Sequence, residues 1–281
     1  MMNPFHKTAL PEIRKVTGKL ELPDNEYTYR RILSFLDLTS LNVTDNEISV
    51  SVLCERVNNF RYLFPDLHNV AAICVYPRFI PLVKKLLSAE GVKIASVGAC
   101  FPSSQSFTSV KTEECRLAAE AGSDEIDMVM SVGDLIAGNT EYVSGEIKAV
   151  KEVIGNVHLK VILETGVIDD ASTIYRASVI AMEAGADFIK TSTGKSPVSA
   201  TPEAAWIMCT AIRDYFAETG RKVGFKPAGG ISSSSDAALY YAIVNHLLGK
   251  EWLVPELFRI GASRLANSIL TSVEGRSVDY F

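Results

Sequence analysis

Short apolar runs alternate with longer amphipathic stretches from about residue 33 to the end of the chain. The short runs have the length of buried strands, whereas the longer stretches repeat apolar residues at helical spacing. Strands that alternate with helices in this way predict parallel β/α units, and eight units are the number that closes a (β/α)8 barrel. The eight candidate strands are SFLDL, AAICVY, KIASVG, EIDMVM, LKVILE, DFIKT, VGFKP and LFRIG.

The amphipathic stretches also carry the end signals of helices. Thr201 followed by Pro202 is typical of a helix N-terminus, and several stretches end in a glycine at the expected C-cap position. An open doubly wound sheet is the alternative fold, but the glycine-rich first turn typical of that fold does not occur in the sequence. We therefore predict a single α/β domain. It consists of an N-terminal helical extension over residues 1–30 and a (β/α)8 TIM barrel over residues 31–281, with a mobile C-terminal tail.

Composition narrows the class of protein further. The chain has 281 residues, 47% of them hydrophobic, which is enough apolar material for a large core. A net charge of −5 gives no reason to expect nucleic acid or an anionic membrane as a partner. The five cysteines are odd in number and widely spaced, and this favours reduced thiols in the cytoplasm. The N-terminus lacks the apolar core of a signal peptide, no apolar run is long enough to span a membrane, and the histidines are scattered, so no metal site is expected.

An internal repeat suggests which polar side chains meet inside the barrel. EAGSDEIDMV and EAGADFIKTS share the pattern of helix end, glycine, small residue, aspartate and strand, and superposing them places Asp127 on Lys190. Alternate strands contribute side chains to the same interior layer of a barrel, so these two residues are expected to face each other. Helix–glycine–strand joints recur in any β/α protein, and the repeat alone therefore leaves the pairing open.

The segment FIKTSTGKSPVSATPE contains two lysines, Lys190 and Lys195. Its GKS string is not a Walker loop, because Ile189 stands where that loop needs a glycine. Lys190 ends an apolar strand, where burial lowers a lysine pKa and leaves a neutral amine able to form a Schiff base. The alternative is a lysine that extends to solvent at the barrel mouth.

A second lysine, Lys226, ends the next strand in VGFKPAGGI, and repulsion between the two lysines would lower the pKa of one of them. The glycines after it, with Gly261 and Ser263 in the following loop, lie where such barrels often bind phosphate. Asp37 and Cys74 also end strands, and Cys74 is interpreted as a packed thiol or as a residue that lines the site. Glu164 and Lys160 share a parity on their strand, which suggests an internal ion pair.

Seven segments, running in order from about Ser34 to Leu270, resemble the deoxyribose-phosphate aldolase family of metal-independent class I aldolases. The segments are LDLTSLN, AAICVYPRFIP, DEIDMVM, LKVILETG, FIKTSTGKSPVSATPE, VGFKPAGGI and GASRLANSIL. The resemblance implies a (β/α)8 barrel that needs no cofactor. It also implies reversible cleavage of 2-deoxy-D-ribose 5-phosphate to D-glyceraldehyde 3-phosphate and acetaldehyde, in the catabolism of deoxyribose phosphate.

The resemblance also implies the roles of individual residues. Lys190 would form the Schiff base, Lys226 would be the neighbouring cation, and Asp127 would relay protons through a water. Asp37 and Cys74 match residues that line the substrate pocket. The positions implied to bind the rest of the substrate, chiefly its phosphate, are Thr193, Gly194, Lys195, Gly229, Gly230, Gly261 and Ser263.

The sequence departs from the family pattern at four places. Arg264 stands where many members have a small polar residue, and Ser232 stands where an arginine is common, so one positive charge is expected to have moved between the two loops. Ser103 replaces a glycine or similar small residue, and about thirty residues precede the first strand, a length suited to a role in assembly. In the tail, members of the family often end in a tyrosine that reaches the site. Tyr280 is penultimate here, so a role in proton transfer and an inert frayed end both remain open.

Two other functions compete with this interpretation. Another Schiff-base lyase, such as a transaldolase-like or keto-acid aldolase, would use the same lysine. A phosphosugar-binding barrel without activity would have lost Lys190, Lys226 or Asp127, and all three are present. We expect small phosphosugar and aldehyde substrates and a homodimeric assembly.

Overall fold

A computed structural model of the protein describes residues 2–281 and contains eight parallel strands that close into a barrel. Each strand pairs with its neighbours in chain order, and β1 pairs with both β2 and β8. Between β7 and β8 the backbone is joined by parallel bridges, Phe225 to Phe258 and Ala228 to Gly261. The predicted (β/α)8 barrel is confirmed. The strands are β1 Leu36–Thr39, β2 Ala72–Val75, β3 Lys93–Gly98, β4 Glu125–Val129, β5 His158–Ile162, β6 Phe188–Lys190, β7 Gly224–Lys226 and β8 Ile260–Ala262.

Helices surround the barrel and alternate with its strands. Two of them, α1 and α2, precede β1, and short 3-10 helices lie at Pro77–Phe79, Thr165–Val167 and Lys250–Trp252. No helix in residues 2–281 has the length and apolar character needed to cross a membrane. The α-helices are α1 Leu10–Thr17, α2 Glu26–Leu33, α3 Glu47–Leu63, α4 Ile80–Leu86, α5 Thr108–Ala121, α6 Val132–Ile136, α7 Thr140–Ile154, α8 Ala171–Glu183, α9 Pro202–Thr219, α10 Ser234–Leu248 and α11 Leu265–Glu274.

The predicted helix ends are mostly where the cap residues place them. The Thr201 hydroxyl accepts a hydrogen bond from the Ala204 amide at 3.1 Å, and Gly220 ends α9 in the left-handed conformation. Helix α4 ends at Leu86, although the amphipathic stretch that contains it continues to Gly91. There the Asn58 side chain donates to the Leu86 carbonyl at 2.8 Å and accepts from the next amides, which stops the helix early.

Two apolar clusters fill the molecule. The larger one lies between the outer face of the strands and the helices. The smaller one lies inside the barrel and consists of the small and medium side chains Leu41, Ala72, Cys74, Ala95 and Val97. The rest of the barrel interior is filled by charged side chains and by Phe188, whose ring occupies the space above Gly224, where a Cβ atom would come within 2.3 Å of it. The barrel interior is therefore half apolar and half ionic.

The N-terminal helices pack on the barrel of the same chain. Helix α1 lies against α9, and α2 lies against α10 and α11. Helix α2 runs across the expected boundary at residue 30, and its Ile32 and Leu33 are fully buried in the main core. At the other end of the chain, the Asn267 side chain accepts hydrogen bonds from the Tyr280 and Phe281 amides, which holds the tail along α11.

Candidate active site

Lys190 and Lys226 end two neighbouring strands and occupy paired positions in the ladder between β6 and β7. Both side chains are buried, so the alternative in which Lys190 extends to solvent is wrong. Each Nζ atom donates to the same oxygen, Oδ2 of Asp127, at 2.8 Å from Lys190 and 2.7 Å from Lys226. The pairing of Asp127 with Lys190 predicted from the internal repeat is confirmed.

The strand register explains how these two residues meet. The ladder pairs Asp127 with Lys160 on β5, and Lys160 with Phe188 on β6, so Lys190 is two residues beyond the position directly across. The strands of a (β/α)8 barrel are tilted, so residues at the same height are offset by about one residue in the ladder from each strand to the next. Residues that share a layer on alternate strands are therefore offset by two. The offset of two residues therefore brings Asp127 and Lys190 to the same interior layer.

Below this layer, Lys160 contacts several carboxylates. Its Nζ atom lies 2.9 Å from Asp127 Oδ1, 2.5 Å from Glu125 Oε2 and 3.7 Å from Asp37 Oδ2. The predicted ion pair between Lys160 and Glu164 is wrong. The chain leaves β5 at Ile162 and turns through Glu164 in a left-handed conformation, which moves this carboxylate to the next loop.

Arg259 enters the barrel interior from the base of β8. Its Nη1 atom lies 2.6 Å from Asp37 Oδ1, and its Nη2 atom lies 2.7 Å from Glu125 Oε1. Asp37 in turn accepts a hydrogen bond from Lys226 through Oδ2. Asp37 therefore joins the arginine at the base of the barrel to the lysine at its mouth.

The pKa values of the two mouth lysines are shifted in opposite directions. Burial lowers the pKa of Lys190, and the adjacent Lys226 lowers it further, against the opposing effect of Asp127. Burial also acts on Lys226, but Asp127 and Asp37 together raise its pKa above the ordinary lysine value. Lys190 is therefore the group suited to be a nucleophilic amine, and Lys226 is the group suited to remain a cation.

Asp37 and Cys74, predicted to line the substrate pocket, lie below the cavity rather than on its wall. Burial raises the pKa of the Cys74 thiol to about 11, so it stays protonated and packs as a small apolar group. Asp37 is fully buried, and its carboxylate accepts a hydrogen bond from Lys226, which is buried as well.

A cavity of about 320 Å³ lies over Lys190, within the size range of small-ligand sites. It is bounded by the loops that follow β6, β7 and β8. Gly229 has a φ of +82°, and a Cβ atom there would lie 2.9 Å from Gly194 Cα, so these two loops can approach only with glycine. The seven loop residues predicted to bind the substrate all line this cavity: Thr193, Gly194, Lys195, Gly229, Gly230, Gly261 and Ser263.

The charge at the outer rim of the cavity comes from lysine and arginine. Lys195 Nζ donates to the Leu41 carbonyl at 2.6 Å, which holds its ammonium group over the cavity. Arg264 and Ser232 both line the cavity and are exposed, and Arg264 makes no ion pair with any residue in the described part of the chain. This arrangement agrees with the expectation that a positive charge is carried by Arg264, after β8, and is absent at Ser232, after β7.

Glu164 shapes the loop that follows β6. Its carboxylate is buried and accepts hydrogen bonds from the Thr193 amide at 3.2 Å and from the Thr193 hydroxyl at 2.5 Å. The same hydroxyl accepts from the Lys195 amide at 3.0 Å. Glu164 thus fixes the turn that carries Thr193, Gly194 and Lys195, three of the residues predicted to bind the substrate.

Tyr280 lies outside the cavity in this structure. Its hydroxyl donates to the Arg56 carbonyl at 2.5 Å, and its ring packs against Phe60 and Phe64 of α3. Its proposed part in proton transfer stays a prediction, and it requires the tail to leave this position.

Sequence reasoning missed two residues of the interior. Glu125 shares the parity of Asp127 in EIDMVM, a signal that could have placed both carboxylates inside the barrel. Arg259 lies in the candidate strand LFRIG, two residues before Gly261, and its guanidinium donates to Glu125 and Asp37 at the base of the barrel.

A buried lysine with a lowered pKa, beneath a cavity with a cationic rim at the carboxyl ends of eight barrel strands, defines a Schiff-base lyase. The family model described as DeoC/LacD family aldolase matches residues 32–248. The chain belongs to this family of aldolases.

Individual relatives agree with the family. The human and mouse proteins named deoxyribose-phosphate aldolase are each 42% identical to this chain, over 85% of it and 78% of their own length. The solved structure described as the tetrameric deoxyribose phosphate aldolase from Aeropyrum pernix has a TM-score of 0.67 at 23% identity, covering 94% of this chain and 97% of that one. At that identity the structural match supports the fold.

Proposed function

We propose that this chain is a deoxyribose-phosphate aldolase, which reversibly cleaves 2-deoxy-D-ribose 5-phosphate to D-glyceraldehyde 3-phosphate and acetaldehyde. The observation that carries the proposal is the pair of lysines bonded to one oxygen of Asp127, with the pKa of Lys190 lowered and that of Lys226 raised. A neutral amine attacks an aldehyde to form a Schiff base, and a neighbouring cation helps to keep that amine neutral.

The reaction begins at the amine of Lys190. Its lone pair attacks the aldehyde carbon of the open-chain sugar, and loss of water leaves an iminium. Removal of the proton on the C3 hydroxyl lets the bond between C2 and C3 break, and its electron pair moves into the iminium to form an enamine. D-glyceraldehyde 3-phosphate leaves, the enamine carbon takes up a proton, and hydrolysis releases acetaldehyde and the free lysine.

Asp127 and Lys226 are the groups placed to move these protons. Asp127 Oδ2 lies 2.8 Å from the reacting nitrogen and 2.7 Å from Lys226 Nζ, so a proton can pass between the two lysines through one carboxylate. Both side chains are fully buried, which keeps bulk water from competing for the enamine.

The substrate phosphate binds at the outer end of the cavity. Gly194, Gly229 and Gly230 all have a positive φ, a conformation that lets backbone amides converge on an anion. Lys195 and Arg264 add positive charge at the rim. Because the net charge of the chain is −5, this local concentration of cations supports the proposed anionic substrate.

The test is an assay of the purified protein with 2-deoxy-D-ribose 5-phosphate, in which acetaldehyde and glyceraldehyde 3-phosphate are measured separately. Release of both in equal amounts supports the proposal. A transaldolase-like enzyme would transfer a carbon fragment without free acetaldehyde, and a binding protein would release neither. Either of these outcomes would overturn the proposed activity.

We propose a cytosolic homodimer as the working form of the enzyme. All five cysteines are free in the structure, as expected for a reducing compartment. The large apolar side chains Ile48 and Tyr62 of α3 are exposed, and they offer a surface for a second copy. Light scattering should give twice the chain mass, and a monomer or a tetramer would contradict the dimer.

A further inference from the structure

The interior of the barrel beneath the cavity holds an uneven set of buried charges. Three carboxylates face four basic side chains, and each of the seven is at most 4% exposed. If all were ionised, the set would carry one excess positive charge in a region with little water to screen it. The excess disappears when one of the four bases gives up its proton. The set consists of Asp37, Glu125, Asp127, Lys160, Lys190, Lys226 and Arg259.

The contacts single out Lys190 as the base that stays neutral. Among the residues that the structure describes, Asp127 is the only carboxylate within 4 Å of its nitrogen. Lys226 pairs with both Asp37 and Asp127, and Arg259 pairs with both Asp37 and Glu125. Lys160 is also surrounded by more than one carboxylate. Deprotonating Lys160, Lys226 or Arg259 instead would give the same total charge, but would take a cationic partner from two or more carboxylates.

The structure assigns Arg259 a function on this basis. We propose that Arg259 is a positioning residue for Schiff-base chemistry: held by Glu125 and Asp37, it supplies the charge that keeps the barrel interior balanced while Lys190 is uncharged. This inference rests on the proposed aldolase function and adds to it. Arg259 does not line the cavity, so it acts on the substrate only through the charges between.

The path from Arg259 to the reacting nitrogen is short. Arg259 bonds Asp37 Oδ1, Asp37 Oδ2 accepts from Lys226, and Lys226 shares Asp127 Oδ2 with Lys190. Without the arginine, three carboxylates would face only Lys160 and Lys226 as cations. Protonation of Lys190 would then restore the balance, so removal of Arg259 is expected to favour the charged, unreactive amine.

The other groups that face Lys190 are accounted for in this balance. Asp127 approaches from β4 and Lys226 from β7. Cys74 approaches from β2, and its raised pKa keeps it an uncharged thiol. The pKa of Lys160 on β5 is raised by Asp127 and Glu125 against the effect of its burial, so it remains a cation throughout.

The experiment removes the two ends of one ion pair separately and together. Arg259→Met takes away a positive charge and keeps the apolar stem, Glu125→Gln takes away a negative charge with nearly the same shape, and the double variant takes away both. Each protein is incubated with acetaldehyde and borohydride, and the rate of two-carbon adduct formation on Lys190 is followed by peptide mass mapping from acidic to alkaline pH.

The expected shifts have opposite signs. In Arg259→Met, trapping at neutral pH should slow by about tenfold or more, with the midpoint of the profile moved to alkaline pH. In Glu125→Gln the midpoint should move to acidic pH. In the double variant the charges balance again, and the midpoint should return toward that of the wild type. Arg259→Lys, which keeps the charge, should retain trapping at neutral pH.

A purely structural function for Arg259 would lower activity in both single variants without opposite shifts. That result, or unshifted profiles in folded variants, would overturn the inference. If Arg259→Met does not fold, the Glu125→Gln variant provides the test. A pH profile of trapping whose midpoint is unshifted, or is moved to alkaline pH, in that variant contradicts the inference. Failure of the wild type to be trapped or to cleave deoxyribose 5-phosphate would instead overturn the proposed function itself, and the inference with it.

Discussion

Lys190 and Lys226 are direct partners across two strands, yet the pKa of one is lowered and that of the other is raised. Each ammonium group would repel the other, and both bond the same carboxylate oxygen of Asp127. The asymmetry arises because Lys226 has a second carboxylate, Asp37, whereas Asp127 is the only carboxylate in residues 2–281 that pairs with Lys190. Two lysines of the same strand position therefore acquire different chemistry.

The first prediction concerns the site of covalent attachment. Acetaldehyde with borohydride should label Lys190, because it is the lysine of the pair whose pKa is lowered. Peptide mass mapping should find the two-carbon adduct there, and Lys190→Leu should remove it. An adduct confined to Lys195 or Lys226 would refute the assignment. Chelators should leave turnover unchanged, because the iminium itself accepts the electrons.

The second prediction concerns Lys226→Leu. Loss of this cation removes a repulsion from Lys190 and should move the pH optimum of any residual activity to alkaline pH. Turnover should fall by about a hundredfold or more, since a proton-transfer group is also lost. The matched control is Lys222→Leu, which replaces an exposed lysine in the approach to the same strand. Unchanged turnover in Lys226→Leu would leave that residue with a structural function only.

The third prediction concerns Asp127→Asn, which should lower the pKa of Lys190, whereas Lys226→Leu should raise it. Asp127 raises that pKa, so its loss should move the profile of imine trapping to acidic pH. Turnover should fall by about a hundredfold or more as the proton path is broken. Because three lysines bond this buried carboxylate, we also expect a loss of stability of about 3–5 kcal/mol. An alkaline shift of the profile would contradict the geometry.

The fourth prediction concerns the phosphate end of the cavity. Arg264→Ser removes a positive charge from the rim and should raise KM for deoxyribose 5-phosphate by about tenfold, with kcat little changed. The KM for unphosphorylated deoxyribose should be unaffected, and Arg264→Lys should restore most of the affinity. Equal losses on both substrates would show that the arginine does not act on the phosphate.

The fifth prediction concerns the tail. If Tyr280 leaves Arg56 and enters the site, deletion of residues 279–281 and Tyr280→Phe should both slow deuterium exchange into acetaldehyde from heavy water. Imine formation at Lys190 should remain near normal in both proteins. Exchange at the wild-type rate in both would remove Tyr280 from the mechanism and leave it as a residue that packs on α3.

The sequence predicted the barrel, and the positions of Lys190 and Lys226 at the ends of two strands, because both follow from local patterns. Strand-length apolar runs located the eight strands, and the repeat around Asp127 and Lys190 carried the parity that places side chains inside a barrel. The position of the Glu164 side chain could not be predicted, because it depends on the left-handed backbone conformation of Glu164 itself after the end of the strand. The partners of Arg259 depend on three strands far apart in the chain, and no local pattern records them.

The loops after β6 and β7 begin directly at the two lysines. Thr193 is the third residue after Lys190, and Gly229 is the third residue after Lys226. A backbone of three residues spans at most about 10 Å, so Lys190 and the proposed anion site stay a short, fixed distance apart on the same strands. If the phosphate binds between these loops as proposed, this distance selects the substrate by length. We then expect a phosphorylated aldehyde to be accepted when its carbon chain is long enough to reach the amine and short enough to keep its phosphate between the loops.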